Sequence, residues 1–100
     1  MIIKEDNASS ESVSVTFVLP PDVQAHSAYL VGDMNNWDKI STPMLFDERT
    51  QTWQIVVHLQ KGRRVEFRYL VDGETWINDW HADEYAPNPF GGVNSVVVIS

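Results

Sequence analysis

The sequence predicts an all-β domain, a sandwich of antiparallel strands, and three observations support this expectation. Apolar residues recur mainly at every second position, which places alternate side chains on opposite faces of a strand. The strand-like runs are short and are bounded by Gly, Pro, Asn and Asp, as in sandwich folds. No segment has the spacing of an amphipathic helix. We therefore expect about seven or eight strands and no helix longer than about two turns.

Three segments show this alternation most clearly and are predicted to form the central strands. Polar residues fill most positions between their apolar ones, as in strands with one buried face. The predicted inward-facing residues are Val13, Val15, Phe17 and Leu19 in the first segment, Trp53, Ile55, Val57 and Leu59 in the second, and Val65, Phe67, Tyr69 and Val71 in the third. We therefore expect Trp53 to be buried.

The remaining segments are shorter or irregular. Short strands are predicted over residues 26–32, 42–48, 75–77 and 94–100. Asp72 and Gly73 form the favoured signal for a tight hairpin turn. Two parts of the chain lack a strand pattern. Residues 1–11 are polar and expected to be flexible, which leaves a single domain over residues 12–100, and residues 77–92 form a long loop whose aromatic side chains favour function over disorder.

Composition excludes several classes of function. The chain has 100 residues, with 7 basic and 14 acidic side chains and a net charge of −7. Because phosphate backbones and anionic membranes repel such a surface, neither nucleic acid nor a membrane is an expected partner. The absence of cysteine excludes a disulfide framework and a thiolate metal site. No apolar run has the length of a signal peptide or a membrane span, so a cytoplasmic location is expected.

Large aromatic side chains lie in the predicted turns and loops as well as in the core. Those assigned to turns and loops are Trp37, Trp76, Trp80, Tyr85 and Phe90. If exposed, they offer more aromatic surface than a monomer without a partner normally shows. Aromatic faces beside a few polar groups suit a sugar ring, which has apolar C–H faces and hydroxyl edges.

Four motifs in order resemble a known family. They are GDMNNWD at 32–38, WQIVVHL at 53–59, GRRVEFRYLVDG at 62–73 and FGGVNSV at 90–96. Together they resemble the family 48 carbohydrate-binding module, over residues 13–99. That family includes the isoamylase-type early set domains and the glycogen-binding domain of the AMP-activated protein kinase β subunit. The resemblance implies an immunoglobulin-like β-sandwich that binds an α-1,4-linked glucan such as glycogen or starch.

The resemblance also implies five carbohydrate-binding residues. Trp37 and Trp76 match the tryptophans that stack on glucose rings, and Arg68 falls at the position of a lysine. Phe90 matches an apolar residue that enters the curved glucan, and Asn94 matches an asparagine that follows it. Arginine offers a planar fork instead of a point donor, so contacts to hydroxyls need not be preserved.

Three further positions depart from the family pattern. Phe90 replaces a smaller aliphatic residue, Gly92 stands where a small hydroxyl residue is common, and Trp80 is an addition. Many members of the wider early set group accompany glycoside hydrolase family 13 enzymes and serve as packing domains. A glycoside hydrolase is therefore a possible protein partner.

Each of these residues also has a structural interpretation. Trp37 can form a lid over the open end of the sandwich, and Arg68 can pair with Glu66 or with a carboxylate on a neighbouring strand in an exposed ion pair. Phe90 can simply anchor its loop, and Asn94 can bond backbone at the start of a strand. The loop aromatics therefore do not by themselves decide between a ligand site and packing.

An enzyme is not expected. The loop carboxylates Asp79, Asp83 and Glu84 lie in a polar surface segment, where the raised pKa of a catalytic acid is seldom reached. The three histidines lack the spacing of metal ligands, and no nucleophile elbow or phosphate-binding loop occurs. We expect no catalytic residue, no metal and no cofactor.

Two hypotheses of different classes remain from the sequence. The first is a non-catalytic α-glucan-binding module whose surface is formed by Trp37, Arg68, Trp76, Phe90 and Asn94. The second is a stand-alone domain that uses the same aromatic surface to bind a protein, since tryptophan and arginine are also frequent in protein interfaces. Neighbouring asparagines favour a sugar, because the centre of a protein interface is usually more apolar.

Overall fold

The computed structural model describes residues 1–6 and 11–99, and within them it is an all-β, antiparallel sandwich. Its strands are β1 (Ile2–Asp6), β2 (Ser12–Val18), β3 (Ala28–Gly32), β4 (Leu45–Asp47), β5 (Thr52–Gln60), β6 (Arg64–Val71), β7 (Thr75–Ile77), β8 (Glu84–Pro87) and β9 (Val93–Val98). The only helical element in this part of the chain is a 3-10 turn, Asp33–Asn35. The predicted fold class is therefore confirmed. No helix in these residues could cross a membrane.

The strands form two sheets. The first sheet has the order β1-β2-β5-β4 and the second has the order β3-β6-β9-β8, with β7 also paired to β6. Strand β6 pairs with β9 over Arg64–Phe67 and with β7 over Tyr69–Val71. Because β3 occupies the other edge of β6, β7 and β9 lie on the same side of it. Arg68 therefore lies where β6 passes from one neighbouring strand to the other.

The core lies between the sheets and follows the predicted alternation. The inward residues of β2 and β6 are buried, and Phe67 makes edge contacts with Phe17 and Tyr69 at ring-centre distances of 4.9 and 5.6 Å. Trp53 departs from the expectation, since it is only half-buried and packs against the margin of this core. Its strand is flanked there by the three-residue edge strand β4, whose Phe46 meets Trp53 edge-on while remaining 44% exposed itself.

The beginning of the chain also differs from the sequence prediction. Residues 2–6 were expected to be flexible but form β1, which pairs antiparallel with β2 from Ile2 opposite Phe17 to Asp6 opposite Val13. An edge strand needs only one paired side and can remain polar, which is why the period-two pattern is weak here. The sandwich therefore begins before residue 12. Residues 7–10, which the same prediction covered, lie outside the described residues.

The long segment of residues 77–92 is not wholly irregular. It contains β8, which pairs with β9 between Glu84 opposite Val96 and Pro87 opposite Val93. The strand has four residues and ends on a proline, so its sequence pattern resembles a loop, although proline is tolerated at a sheet edge. Strands β1 and β8 raise the number in the described residues to nine, against the predicted seven or eight.

Candidate functional site

An open groove of about 670 Å³ lies on the outer face of the second sheet. Arg68 marks this face, because its position in β6 alternates with those of the buried Phe67 and Tyr69. The sequence-predicted site residues all line the groove, namely Trp37, Arg68, Trp76, Phe90 and Asn94. Its other lining residues, not predicted as site residues, are Asp33, Lys39, Glu66, Asn88 and Pro89. Its size falls within the range typical of ligand sites.

One wall of the groove is the turn that follows β3. A side chain at Gly32 would lie only 2.8 Å from the Cβ atom of Phe67, so glycine permits β3 to approach β6 closely. The Asn35 side chain then fixes the turn, accepting a bond from the Gly32 N–H at 3.1 Å and donating to the Leu30 carbonyl at 2.9 Å and to Thr42 at 3.0 Å. The asparagine-rich sequence is thus used as turn chemistry, as the residue types predict.

Trp37 follows this turn in an unusual backbone conformation. Its φ is +59°, in the left-handed region that bulky residues rarely adopt. The Trp37 backbone N–H donates to the Gly32 carbonyl at 2.9 Å, and the indole Nε1–H donates to Asp33 Oδ1 at 3.0 Å. The ring is half-buried and lines the groove. Backbone strain of this kind persists only where surrounding contacts maintain it, and it is concentrated at functional sites.

Trp76 lies beside two cationic side chains. It is opposite Leu70 in the β6–β7 pair, and the Arg68 guanidinium carbon lies 5.7 Å from its ring centre. Lys39 approaches the same ring, with its Nζ at 5.9 Å. Arg68 forms no ion pair with Glu66 or with any other carboxylate of the described residues; Glu66 lies 3.8 Å from Arg64. The Nε atom of Arg68 is buried and has no hydrogen-bond partner among the described residues.

A chain of side-chain amides supports the opposite wall. Asn88 Oδ1 accepts hydrogen bonds from the backbone N–H groups of Phe90 at 2.9 Å and Gly92 at 3.1 Å. Asn88 also donates to Asn94 Oδ1 at 3.3 Å, and Asn94 donates to Glu66 Oε1 at 3.2 Å. Phe90 is 93% exposed, so it does not anchor the loop, and Asn88 performs that task. Asn88 has a recognisable local signal, since asparagine between prolines favours side-chain-supported turns.

The remaining loop aromatics lie outside the groove. Trp80 is 57% exposed and does not line it. The Tyr85 hydroxyl donates to the Asp79 carbonyl at 2.6 Å. The sequence analysis grouped both residues with the candidate aromatics because they lie in the predicted loop, but neither lines the groove.

The loop carboxylates are each held by other groups. Asp79 is buried and accepts a bond from the Tyr69 hydroxyl at 2.7 Å, and burial and the adjacent carboxylate raise the Tyr69 pKa well above its ordinary value. Asp83 bonds Lys4 at 2.7 Å, and Glu84 bonds Arg64 at 3.1 Å. Although partial burial opposes it, the bonds to Lys4 and to the Val98 N–H lower the pKa of Asp83. A general acid needs a raised pKa instead.

The charges that line the groove balance one another. Arg68 and Lys39 supply two cations, and Asp33 and Glu66 supply two carboxylates. Such a surface has no net attraction for a polyanion, and its hydrogen-bond donors and acceptors line the same groove as the two tryptophans and Phe90. This arrangement suits a neutral polyol with apolar C–H faces.

The chain is an antiparallel β-sandwich with an open groove, and this groove is lined by two tryptophans, the exposed Phe90 and side-chain amides. These features are typical of the class of carbohydrate-binding modules. The family described as the glycogen recognition site of AMP-activated protein kinase matches residues 9–100, and the chain belongs to this family. It is therefore a non-catalytic module of the glycogen- or α-glucan-binding kind. No curated protein sequence matches the chain.

Proposed function

We propose that this groove is the α-glucan site, with Trp37, Arg68, Trp76, Phe90 and Asn94 as its binding residues. The observation that carries the proposal is their convergence. Residues widely separated in the sequence, from the β3–β4 connection, β6, β7, the β8–β9 loop and β9, line one groove on one face of one sheet.

Stacking is the main source of affinity in this proposal. The indoles of Trp37 and Trp76 offer apolar faces to the C–H faces of successive glucose rings, and removing such surface from contact with water is favourable. Phe90 projects almost fully into solvent from a loop that Asn88 holds, so it can contact a curved glucan without rearrangement of the sheet. This exposure supports a ligand-contacting role despite its departure in size from the family pattern.

The polar residues orient the sugar in this proposal. Arg68 presents a fixed fork of donors beside Trp76 and forms no ion pair with any residue in the described ranges, so its terminal nitrogens are available to hydroxyl groups. Asn94 is largely occupied by its bonds to Asn88 and Glu66. We therefore assign Asn94 the smaller share of direct contact, with its main effect on the shape of the groove.

Native electrophoresis in gels containing glycogen, amylopectin or no polysaccharide tests the proposal. The unmutated domain should be retarded by the polysaccharides only, and Trp37→Ala or Trp76→Ala should abolish that retardation as well as the heat of β-cyclodextrin titration. Trp80→Ala is the matched control, since it removes an exposed tryptophan outside the groove. Retardation of the Trp37 and Trp76 variants to the same extent as the unmutated domain would contradict the assignment. So would the absence of retardation of the unmutated domain.

Two wider expectations stay predictions. We expect a protein partner such as a glycoside hydrolase, which co-purification would detect. We also expect a cytoplasmic location, which cell fractionation would test. The alternative that this face binds a protein predicts instead that the Trp37 variant loses the partner and that glycogen does not compete for it.

A further inference from the structure

Asp33 joins two parts of the groove through its two carboxylate oxygens. Its Oδ1 accepts the indole Nε1–H of Trp37 at 3.0 Å, and its Oδ2 accepts the backbone N–H of Glu66 at 2.9 Å. One oxygen is thus attached to the tryptophan and the other to β6, on which the rest of the site is built. Asp33 was not among the residues that the sequence indicated.

The position of Asp33 explains the second of these bonds. The β3–β6 ladder ends with Gly32 opposite Phe67, so the next residue pair would be Asp33 opposite Glu66. There the backbone turns away into the 3-10 turn, and the Asp33 side chain bonds the Glu66 N–H that the strand no longer reaches. The carboxylate is therefore bonded to the sheet as well as to a residue of its own turn.

The first bond determines the orientation of the indole. The bond from the Trp37 N–H to the Gly32 carbonyl fixes the backbone, but it leaves rotation about χ1 and χ2 open. Among the described residues, the indole nitrogen has Asp33 as its one hydrogen-bond partner. This bond therefore favours one orientation of the indole, and it adds to the contacts that maintain the left-handed backbone of Trp37.

We propose that Asp33 is a positioning residue that holds the face of Trp37 toward the groove, acting through the indole N–H and not through the ligand. This inference rests on the proposed glucan site. A ring that is free to rotate spends only part of its time in the binding orientation, and the apparent affinity falls by that fraction. If the Trp37 ring in the Asp33→Ala variant has the binding orientation about a tenth of the time, glucan affinity falls about tenfold.

A double-mutant cycle with Trp37→Phe separates positioning from direct contact. Phenylalanine keeps an aromatic face but has no indole N–H, so binding is weakened and remains measurable. If Asp33 acts through that N–H, Asp33→Ala weakens β-cyclodextrin binding about tenfold in the unmutated chain and has little effect in the Trp37→Phe background. If the carboxylate instead bonds a sugar hydroxyl, the loss is the same in both backgrounds, and the proposal is overturned.

A second readout needs no ligand. The Nε1–H resonance of Trp37, assigned by its disappearance in Trp37→Phe, should shift and exchange faster with solvent in Asp33→Ala. Asp33→Asn keeps one accepting oxygen where the carboxylate has two, so it should lose less protection and less affinity than Asp33→Ala. An unchanged indole signal in both variants would overturn the proposal whatever the affinity, and would do so even if the chain fails to bind glucan.

Asp38→Ala is the control for an acidic side chain of the same turn. Asp38 accepts a bond from the Ile40 N–H at 2.9 Å and does not line the groove. It should therefore leave both the affinity and the Trp37 signal unchanged. If unmutated protein shows no glucan binding while Asp33→Ala still frees the indole, the proposed function fails and the positioning contact stands.

Discussion

The guanidinium of Arg68 lies over the ring of Trp76, with 5.7 Å between its carbon atom and the ring centre. This contact spans the point where β6 exchanges β9 for β7, because Arg68 belongs to neither paired stretch and Trp76 belongs to β7. The Arg68 side chain limits the motion of the Trp76 ring, and the face of that ring attracts the guanidinium. The Nε atom of Arg68 has no hydrogen-bond partner among the described residues. The two side chains are therefore expected to act together in binding.

Replacing Arg68 should weaken glucan binding only partly. Arg68→Ala removes hydroxyl donors and a support for Trp76 but leaves both indole faces in place, so β-cyclodextrin affinity should fall about three- to tenfold, the worth of one or two exposed hydrogen bonds. Arg68→Lys keeps the charge and should retain more affinity. Calorimetric titration measures both. A complete loss in Arg68→Ala with an intact fold would make the arginine, and not stacking, the main source of affinity.

Stability should separate the core from the groove. Phe67→Ala should lower the free energy of unfolding by about 3–5 kcal/mol, because a fully buried ring with two aromatic neighbours is removed. Trp37→Ala should lower it much less, and half-buried Trp53 should fall between them. Urea unfolding curves of the three variants decide the order. A loss at Trp37 as large as at Phe67 would make it a structural lid.

The Asp72 carboxylate predicts part of the acid sensitivity. Bonds from the backbone N–H groups of His26 at 2.7 Å and Ser27 at 3.0 Å lower its pKa in the folded state. A lowered folded pKa stabilises the fold above the unfolded value, near pH 4, and this contribution is lost as pH falls through the folded value. Asp72→Asn, which tolerates the same left-handed φ of +54°, should therefore lose less stability between about pH 5 and pH 2. Parallel curves of unfolding free energy against pH for the two proteins would contradict this.

Glucan binding should hardly depend on salt. Glucans are neutral, so their binding releases no bound counterions. The groove itself is lined by two cationic side chains and two carboxylates. Calorimetric affinity for β-cyclodextrin should stay constant within about twofold between about 50 mM and 500 mM NaCl. Heparin serves as the polyanion control and should not bind. A steep fall with salt would indicate a site for anionic ligands.

The sequence predicts the centre of this fold better than its edges. Alternating residues identified β2, β5 and β6 because each has one face against the core, and that face alone determines the pattern. The burial of Trp53 was overestimated because alternation shows which way a side chain points but not how deeply it is buried, and β5 is flanked there by only a short edge strand. Strands β1 and β8 lie at sheet edges, where pairing uses backbone groups and places little demand on side chains.

The site shows a similar division. Resemblance to a known family indicated five residues that the fold brings together, since each lies in a recognisable motif or shortly after one. The supporting residues Asp33 and Asn88 could not be obtained that way. Their partners depend on where β3 ends against β6 and on how the β8–β9 loop closes, and both are properties of strand register. Local sequence shows that such side chains favour turns, but not which distant group they bond.

The groove occupies the outer face of the second sheet alone, and this gives the domain two independent sides. A polysaccharide held there leaves the far surface of the first sheet open to solvent, on the opposite side of a core about 10 Å thick. That surface exposes Leu45 and Val56. A glucan bound in the proposed groove would therefore leave this second face, with its exposed Leu45 and Val56, accessible to another macromolecule.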